Sequence, residues 1–278
     1  MICQWNKLQN ILPRHIVREL DADVRENCQE IRLRLDEPPV LNLGIQQRKL
    51  NGTVTREDID YVINTASRYS PWTAATIREG YLTAPGGHRI GVCGEAVMRD
   101  GQISAMRQIR SVCIRVARDF PGAADKLRNI HGSVLILGAP GWGKTTLLRD
   151  LIRQRSAAGA CVAVVDEREE LFPPGTGTGT GIDILSGCPK REGIEILLKT
   201  MGPQSIAVDE ITSLEDAQAL LRAFGCGVSL LATIHAASIA DLEEKSHFRP
   251  FLSGKVFDVF VILHPDKSWH WERRSQWN

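Results

Sequence analysis

Eight residues, Gly138-Ala139-Pro140-Gly141-Trp142-Gly143-Lys144-Thr145, fit the pattern G-x-x-x-x-G-K-[ST]. The apolar run Val134–Leu137 leads into them, and Thr146 to Asp150 follow at helical spacing. Strand, glycine-rich turn and helix in that order make a cradle for an anion. The glycines let backbone N–H groups face phosphate oxygens, and the helix start directs its positive end at the same place. Gly138 through Thr146 are the expected nucleotide-binding residues. Lys144 is expected to reach the β- and γ-phosphates, and the Thr145 hydroxyl to ligate Mg²⁺. The expected cofactors are therefore ATP and Mg²⁺.

Around this motif the chain changes style. Before about residue 120 the strands alternate, as in Ile31-Arg32-Leu33-Arg34-Leu35, which reads as aliphatics in and arginines out. Residues 1–30 read as helical. Val40 to Leu43 reads as a second strand and Asn51-Gly52 as a hairpin-grade turn. Thr55 and Asp58 cap a helix with Ile59, Val62, Ile63 and Ala66 on its buried stripe. A hairpin turns at Pro85-Gly86-Gly87, another turn lies at Asp100-Gly101, and a strand is expected at about Val112–Val116. These predict a small α+β domain over 1–120.

From 121 to 278 the apolar runs are continuous: Val134–Leu137, Cys161–Val165, Ser205–Val208 and Val228–Thr233. Fully buried parallel strands have this composition. Helices are expected at 145–156, 191–201 and 213–224, a short connector at 123–129, and an edge strand at 256–263. The Gly-Thr repeat at 175–181 reads as a surface loop. The fold expected is α/β, a RecA-like P-loop core with the smaller α+β domain ahead of it.

Each of the four strands runs into reactive groups at its carboxyl end, where ligands gather in parallel sheets. They are the phosphate loop, Asp166-Glu167, Asp209-Glu210 and, after Thr233-Ile234, His235. Asp209 is expected to hold Mg²⁺ and Glu210 to act as general base toward an attacking water. Asp166 and Glu167 would serve the metal's water shell or position the nucleophile. His235 would hydrogen-bond the γ-phosphate. The compensating guanidinium is sought in the first domain, among Arg89, Arg107, Arg110, Arg115 and Arg118. Those arginines also admit a nucleic-acid patch, but no aromatics interleave them.

Totals narrow the class. The 278 residues carry a net charge of +1, which argues against a general pull toward nucleic acid or anionic lipid. Seven scattered cysteines with no C-x-x-C pair predict neither a zinc site nor a disulfide framework, and suit a reducing compartment. No apolar run is long enough to span a bilayer, so no direct membrane insertion is expected and the chain reads as cytoplasmic.

The series Glu30-Ile31-Arg32-Leu33-Arg34, Gly80-Tyr81-Leu82-Thr83, Gly86-Gly87-His88-Arg89, Gly143 to Asp150, Val165-Asp166-Glu167-Arg168, Gly187-Cys188-Pro189-Lys190 and Val208-Asp209-Glu210-Ile211 resembles the stage III sporulation protein AA family of endospore-forming bacteria. That family looks like a short relative of type II and type IV secretion and pilus ATPases. The resemblance implies a RecA-like core behind a small N-terminal domain and a hexameric ring. It implies coupling of ATP hydrolysis to membrane-embedded channel proteins, from the mother-cell side of a sporulation channel. It also implies that Asp166-Glu167 is an acidic box, Asp209-Glu210 a Walker B, Thr233 to His235 a histidine box, and Arg89, Arg107 or Arg110 the nucleotide-reaching arginines. Thr212-Ser213 stands where the family has Gly-Arg. A nucleic-acid-dependent motor and a non-catalytic nucleotide-binding scaffold stay open as alternatives.

Overall fold

The computed structural model describes residues 3–44, 46–67, 77–78, 80–173, 179–244 and 248–274. The chain has two compact units, Met1–Asp119 with Pro173–Thr176, and Phe120–Phe172 with Gly177–Asn278.

In the first unit a six-stranded antiparallel sheet runs β3-β2-β1-β6-β5-β4. Its strands are β1 (Glu30–Arg34), β2 (Val40–Asn42), β3 (Gln47–Lys49), β4 (Tyr81–Ala84), β5 (His88–Arg99) and β6 (Gln102–Arg115). One face is apolar: Ile31 and Leu33 of β1 are buried while Arg32 is exposed, the alternation expected. Helix Arg56–Ser67 covers that face with Ile59, Val62 and Ala66. It starts at a reciprocal cap, in which Thr55 Oγ1 accepts from Asp58 N at 3.2 Å and Asp58 Oδ2 accepts from Thr55 N at 2.9 Å. His88 is fully buried beside the Gly-Gly turn, and burial pushes its imidazole down to about 4.

Several expectations change here. The region 1–30 is three short helices, Trp5–Asn10, Arg14–Arg18 and Ala22–Asn27, because Pro13 and the Asp21 cap each restart the chain. Asn51-Gly52 joins no two strands; it leads from β3 toward the Arg56–Ser67 helix. β6 begins ten residues before the expected strand. Its pairing with β5 breaks register between Cys93 and Glu95, where a side chain on Gly94 would strike Arg107 O at 2.5 Å. That bulge hides the alternation.

The second unit has a seven-stranded sheet in the order β13-β12-β7-β11-β10-β8-β9. Its strands are β7 (Val134–Leu137), β8 (Val162–Asp166), β9 (Ile182–Ser186), β10 (Ser205–Val208), β11 (Ser229–Ile234), β12 (Val259–Leu263) and β13 (Trp269–Arg273). All pair in parallel except β12 with β13. Core lies on both faces: Leu135 and Leu137 of β7 join one apolar cluster, Val134 and Ile136 the other. Two-sided burial is why the sequence runs are continuous.

Helices Lys144–Ala157, Lys190–Thr200 and Leu214–Gly225 return the chain between strands. The connector after Phe120 is one 3-10 turn, Asp125–Leu127, fastened where Gly122 N and Ala124 N donate to Asp150. The expected edge strand is not at the edge. β12 is buried throughout, between β7 and β13; the polar break in its sequence, Asp258, lies ahead of the strand and accepts from Ser133 N. β9 and β13 went unread. Of the Gly-Thr repeat, 175–178 lie outside the described residues, and Ile182 already begins β9.

Candidate functional site

The carboxyl ends of β7, β11, β10 and β8 lie side by side, since these strands are consecutive and parallel. The phosphate loop leaves β7 and passes into helix Lys144–Ala157 through Gly143, whose φ of +105° suits only glycine. Gly141 is also left-handed, and a side chain on it would meet nothing within 4 Å, so the loop is open on that side. Trp142 is partly buried and packs against the core beneath, where Leu147 and Leu263 lie.

Lys144 is 7% exposed, unusual for a lysine. Its Nζ donates to Ala139 O at 3.1 Å and stands 3.3 Å from His235 Nδ1. Burial lowers its ammonium from the ordinary lysine value, and the Glu210 and Asp209 carboxylates oppose that. With Lys144 donating to Nδ1, the imidazole proton sits on Nε2 and faces Glu210 Oε1 at 2.9 Å. Lysine, imidazole and carboxylate thus form one line of contacts.

Asp209 follows β10. One oxygen accepts from Thr145 Oγ1 at 2.8 Å and the other from Thr233 Oγ1 at 2.7 Å. Thr233 also accepts from Glu210 N at 2.8 Å, and its carbonyl takes Ile211 N at 2.8 Å. Glu210 is thereby held at φ +47°, a left-handed conformation rare for a residue other than glycine, asparagine or aspartate. The threonine that imposes this sits fully buried at the polar end of an apolar strand.

The Asp166-Glu167 pair differs. Asp166 is 1% exposed, and its carboxylate accepts from Glu170 N at 2.9 Å, Leu171 N at 3.2 Å and Phe172 N at 2.8 Å. Burial raises its carboxyl, those three donors pull it back, and Asp209 adds to the rise. Expected as a metal ligand, Asp166 is instead engaged at both oxygens in folding the 166–172 turn. Glu167 pairs with Lys190 Nζ at the start of helix Lys190–Thr200. A cleft in the second unit is lined by Asp166, Glu167, Lys190, Asp209, Glu210 and Thr212.

So the structure gathers Lys144, Thr145, Asp209, Glu210 and His235, with Glu167 in the adjoining cleft. Arg89, Arg107 and Arg110 belong to the first unit, on β5 and β6. Arg89 lies 4.8 Å above the Tyr81 ring, and Arg110 pairs with Glu95, which is also the register partner of Arg107. Two residues escaped the expected set. Thr233 was signalled by a hydroxyl ending an apolar run and by the implied histidine box, without a role of its own, and Lys190 only by its place in a motif.

The family model for sporulation stage III, protein AA matches residues 4–270. The chain belongs to the stage III sporulation protein AA family. It is 33% identical over 277 residues to stage III sporulation protein AA of Bacillus subtilis (strain 168), covering 93% of this chain and 90% of that protein. Its mixed α/β fold is similar to two solved structures. One is the Legionella pneumophila ATPase DotB, with a TM-score of 0.61, 20% identity, and coverage of 94% of this chain and 80% of that one. The other is the pilus retraction motor PilT with bound ADP, with a TM-score of 0.63, 16% identity, and coverage of 89% and 76%. At these identities the likeness concerns fold. Among the described residues no helix is long and apolar enough to cross a membrane.

Proposed function

We propose that this family member is a Mg²⁺-dependent ATPase with a RecA-like core over 121–278 and a small N-terminal domain over 1–120, working as a ring, a hexamer by analogy with secretion-type motors. The observation that carries the reading is the contact series Thr145–Asp209–Thr233–Glu210–His235–Lys144 around an open glycine loop. The residues fit the group. Thr145 Oγ1 and Asp209 Oδ2 are two oxygens within 2.8 Å of each other, and magnesium usually takes only one or two protein oxygens, completing its shell from phosphates and water.

When bound, the metal supplies charge neutralisation on the β- and γ-phosphates. Lys144 leaves Ala139 O and His235 to reach those phosphates. Glu210 takes the proton of the attacking water, with its backbone held by Thr233 and its carboxylate oriented by His235. Preset donors of this kind stabilise developing charge without reorganising during the reaction. Arg89, Arg107 or Arg110 of the N-terminal domain supply the remaining positive charge. The partners are membrane-embedded channel proteins of sporulation, reached from the cytoplasmic side.

Phosphate release and nucleotide binding, measured together, test the reading. Binding and slow turnover, both lost in Lys144→Ala, support it; binding without phosphate release favours a scaffold, and release that needs nucleic acid favours a nucleic-acid motor. Mass measurement with a non-hydrolysable nucleotide reads the ring. If an arginine acts across a subunit boundary, mixing Arg89→Ala with Glu210→Gln subunits restores part of the turnover; no recovery at any ratio removes the shared site.

A further inference from the structure

The Lys190–Glu167 pair is costly to build. Lys190 is 8% exposed along its side chain while Glu167 is 36% exposed, so the lysine has left water for a partner that has not fully done so. Pairs of this sort add little to stability, because desolvation consumes most of the attraction. The chain nevertheless makes special provision for it. Pro189 ends the preceding segment and caps helix Lys190–Thr200, so Lys190 is its first residue. Gly193 lies one turn on, and a side chain there would come within 2.6 Å of Val165 Cγ1 and 3.0 Å of Cys188 Sγ. Only glycine lets the helix press that closely on β8. Gly187 N donates to Asp166 O at 3.3 Å, which fastens the same segment to the end of that strand.

The pair faces the cleft that Asp209 and Glu210 also line. An unpaired carboxylate there would add to the carboxylates of Asp166, Glu170, Asp209 and Glu210 in that wall, where Arg168 is the one cation besides Lys190 among the described residues. The Glu167 side chain would also be loose, with several rotamers to lose at each turnover. Lys190 removes both problems with one contact.

We infer that Lys190 is a positioning residue, which fixes and neutralises Glu167 so that Glu167 can orient the attacking water or the metal's water shell while Glu210 alone serves as base. This rests on the ATPase reading above. Lys190 touches no reacting atom; it acts through Glu167.

The experiment is a double-mutant cycle in the full-length chain with Lys190→Met, Glu167→Gln and the pair, measuring kcat by phosphate release and the dissociation constant of a fluorescent ATP analogue. Lys190→Met should lower kcat at least tenfold, toward the roughly hundredfold that misplacing a positioned group costs. Analogue binding should change by less than about threefold, since the interaction acts on the chemical step. The double variant should fall no further than the worse single variant, and Lys190→Arg should keep a measurable part of the activity. Unchanged kcat in Lys190→Met, or losses that multiply in the double variant, would overturn the inference and leave the ATPase reading intact. Analogue binding that falls in step with kcat, with no recovery by arginine, would also overturn it by showing a structural role. A wild-type chain that binds the analogue yet releases no phosphate removes hydrolysis and, with it, this inference.

Discussion

The same dipeptide, Asp-Glu, ends two neighbouring strands, and the two copies do different work. After β8, Asp166 is buried and turned back on its own chain, collecting three backbone N–H groups, while Glu167 is tied to a lysine. After β10, Asp209 accepts two hydroxyls from separate elements, and Glu210 stands on a left-handed backbone with its carboxylate against an imidazole. Identity and position on the sheet edge are shared; only the donors differ. A carboxylate satisfied by local backbone shapes a turn. One satisfied by the hydroxyl of the phosphate-loop helix joins that loop to the next strand but one, with β11 between them.

The contrast can be broken most sharply at the second copy. Glu210→Gln is expected to reduce turnover by roughly two to three orders of magnitude, with Lys144→Ala similar, as for other losses of one transition-state contact. Phosphate release under saturating nucleotide measures it, and normal turnover in either variant would dissolve the assigned roles. Exchanging Asp for Asn at each site separates the two aspartates. Asp209→Asn should abolish most Mg²⁺-dependent turnover with little change in unfolding. Asp166→Asn should cost about 1–3 kcal/mol of stability through the unsatisfied N–H groups it leaves. Denaturant titration beside activity tests this, and the opposite pattern would exchange their roles.

Gly193→Ala tests the wall on the β8 side. The clash with Val165 should cost about 1–3 kcal/mol as an overpacked core, read as a lower denaturation midpoint with an unchanged denaturant slope. The smallest change in stability is expected from Glu210→Gly, which relieves the left-handed backbone and should raise stability by up to about 1 kcal/mol, although turnover is lost with the carboxylate. A loss of stability there would mean that the carboxylate's contact with His235 outweighs the strain.

Much of this edge was legible as a pattern. Four apolar runs ending in polar groups locate the phosphate loop, both Asp-Glu pairs and His235, because a parallel sheet covered on both faces leaves its mark on every residue of a strand. What the pattern did not carry is the direction each side chain takes. The donors that hold Asp166 are backbone groups four to six residues on, and backbone groups have no sequence identity. Lys190 arrives from 23 residues beyond Glu167, brought by a glycine whose need is visible only beside Val165. The same limit explains the strands. β12 was misplaced to the edge by Asp258 ahead of it, β13 is a short charged strand supported by one neighbour, and a bulge around Gly94 concealed most of β6.

Lys144 carries a consequence of its own. At rest its ammonium is shielded from water beside the Ala139 carbonyl and the His235 imidazole. A weak anion such as chloride gains little by displacing them, whereas a polyphosphate supplies several charges and also takes up the loop's N–H groups. On the ATPase reading, the cradle is expected to favour anions of higher charge and greater length, and competition by pyrophosphate against orthophosphate measures that preference.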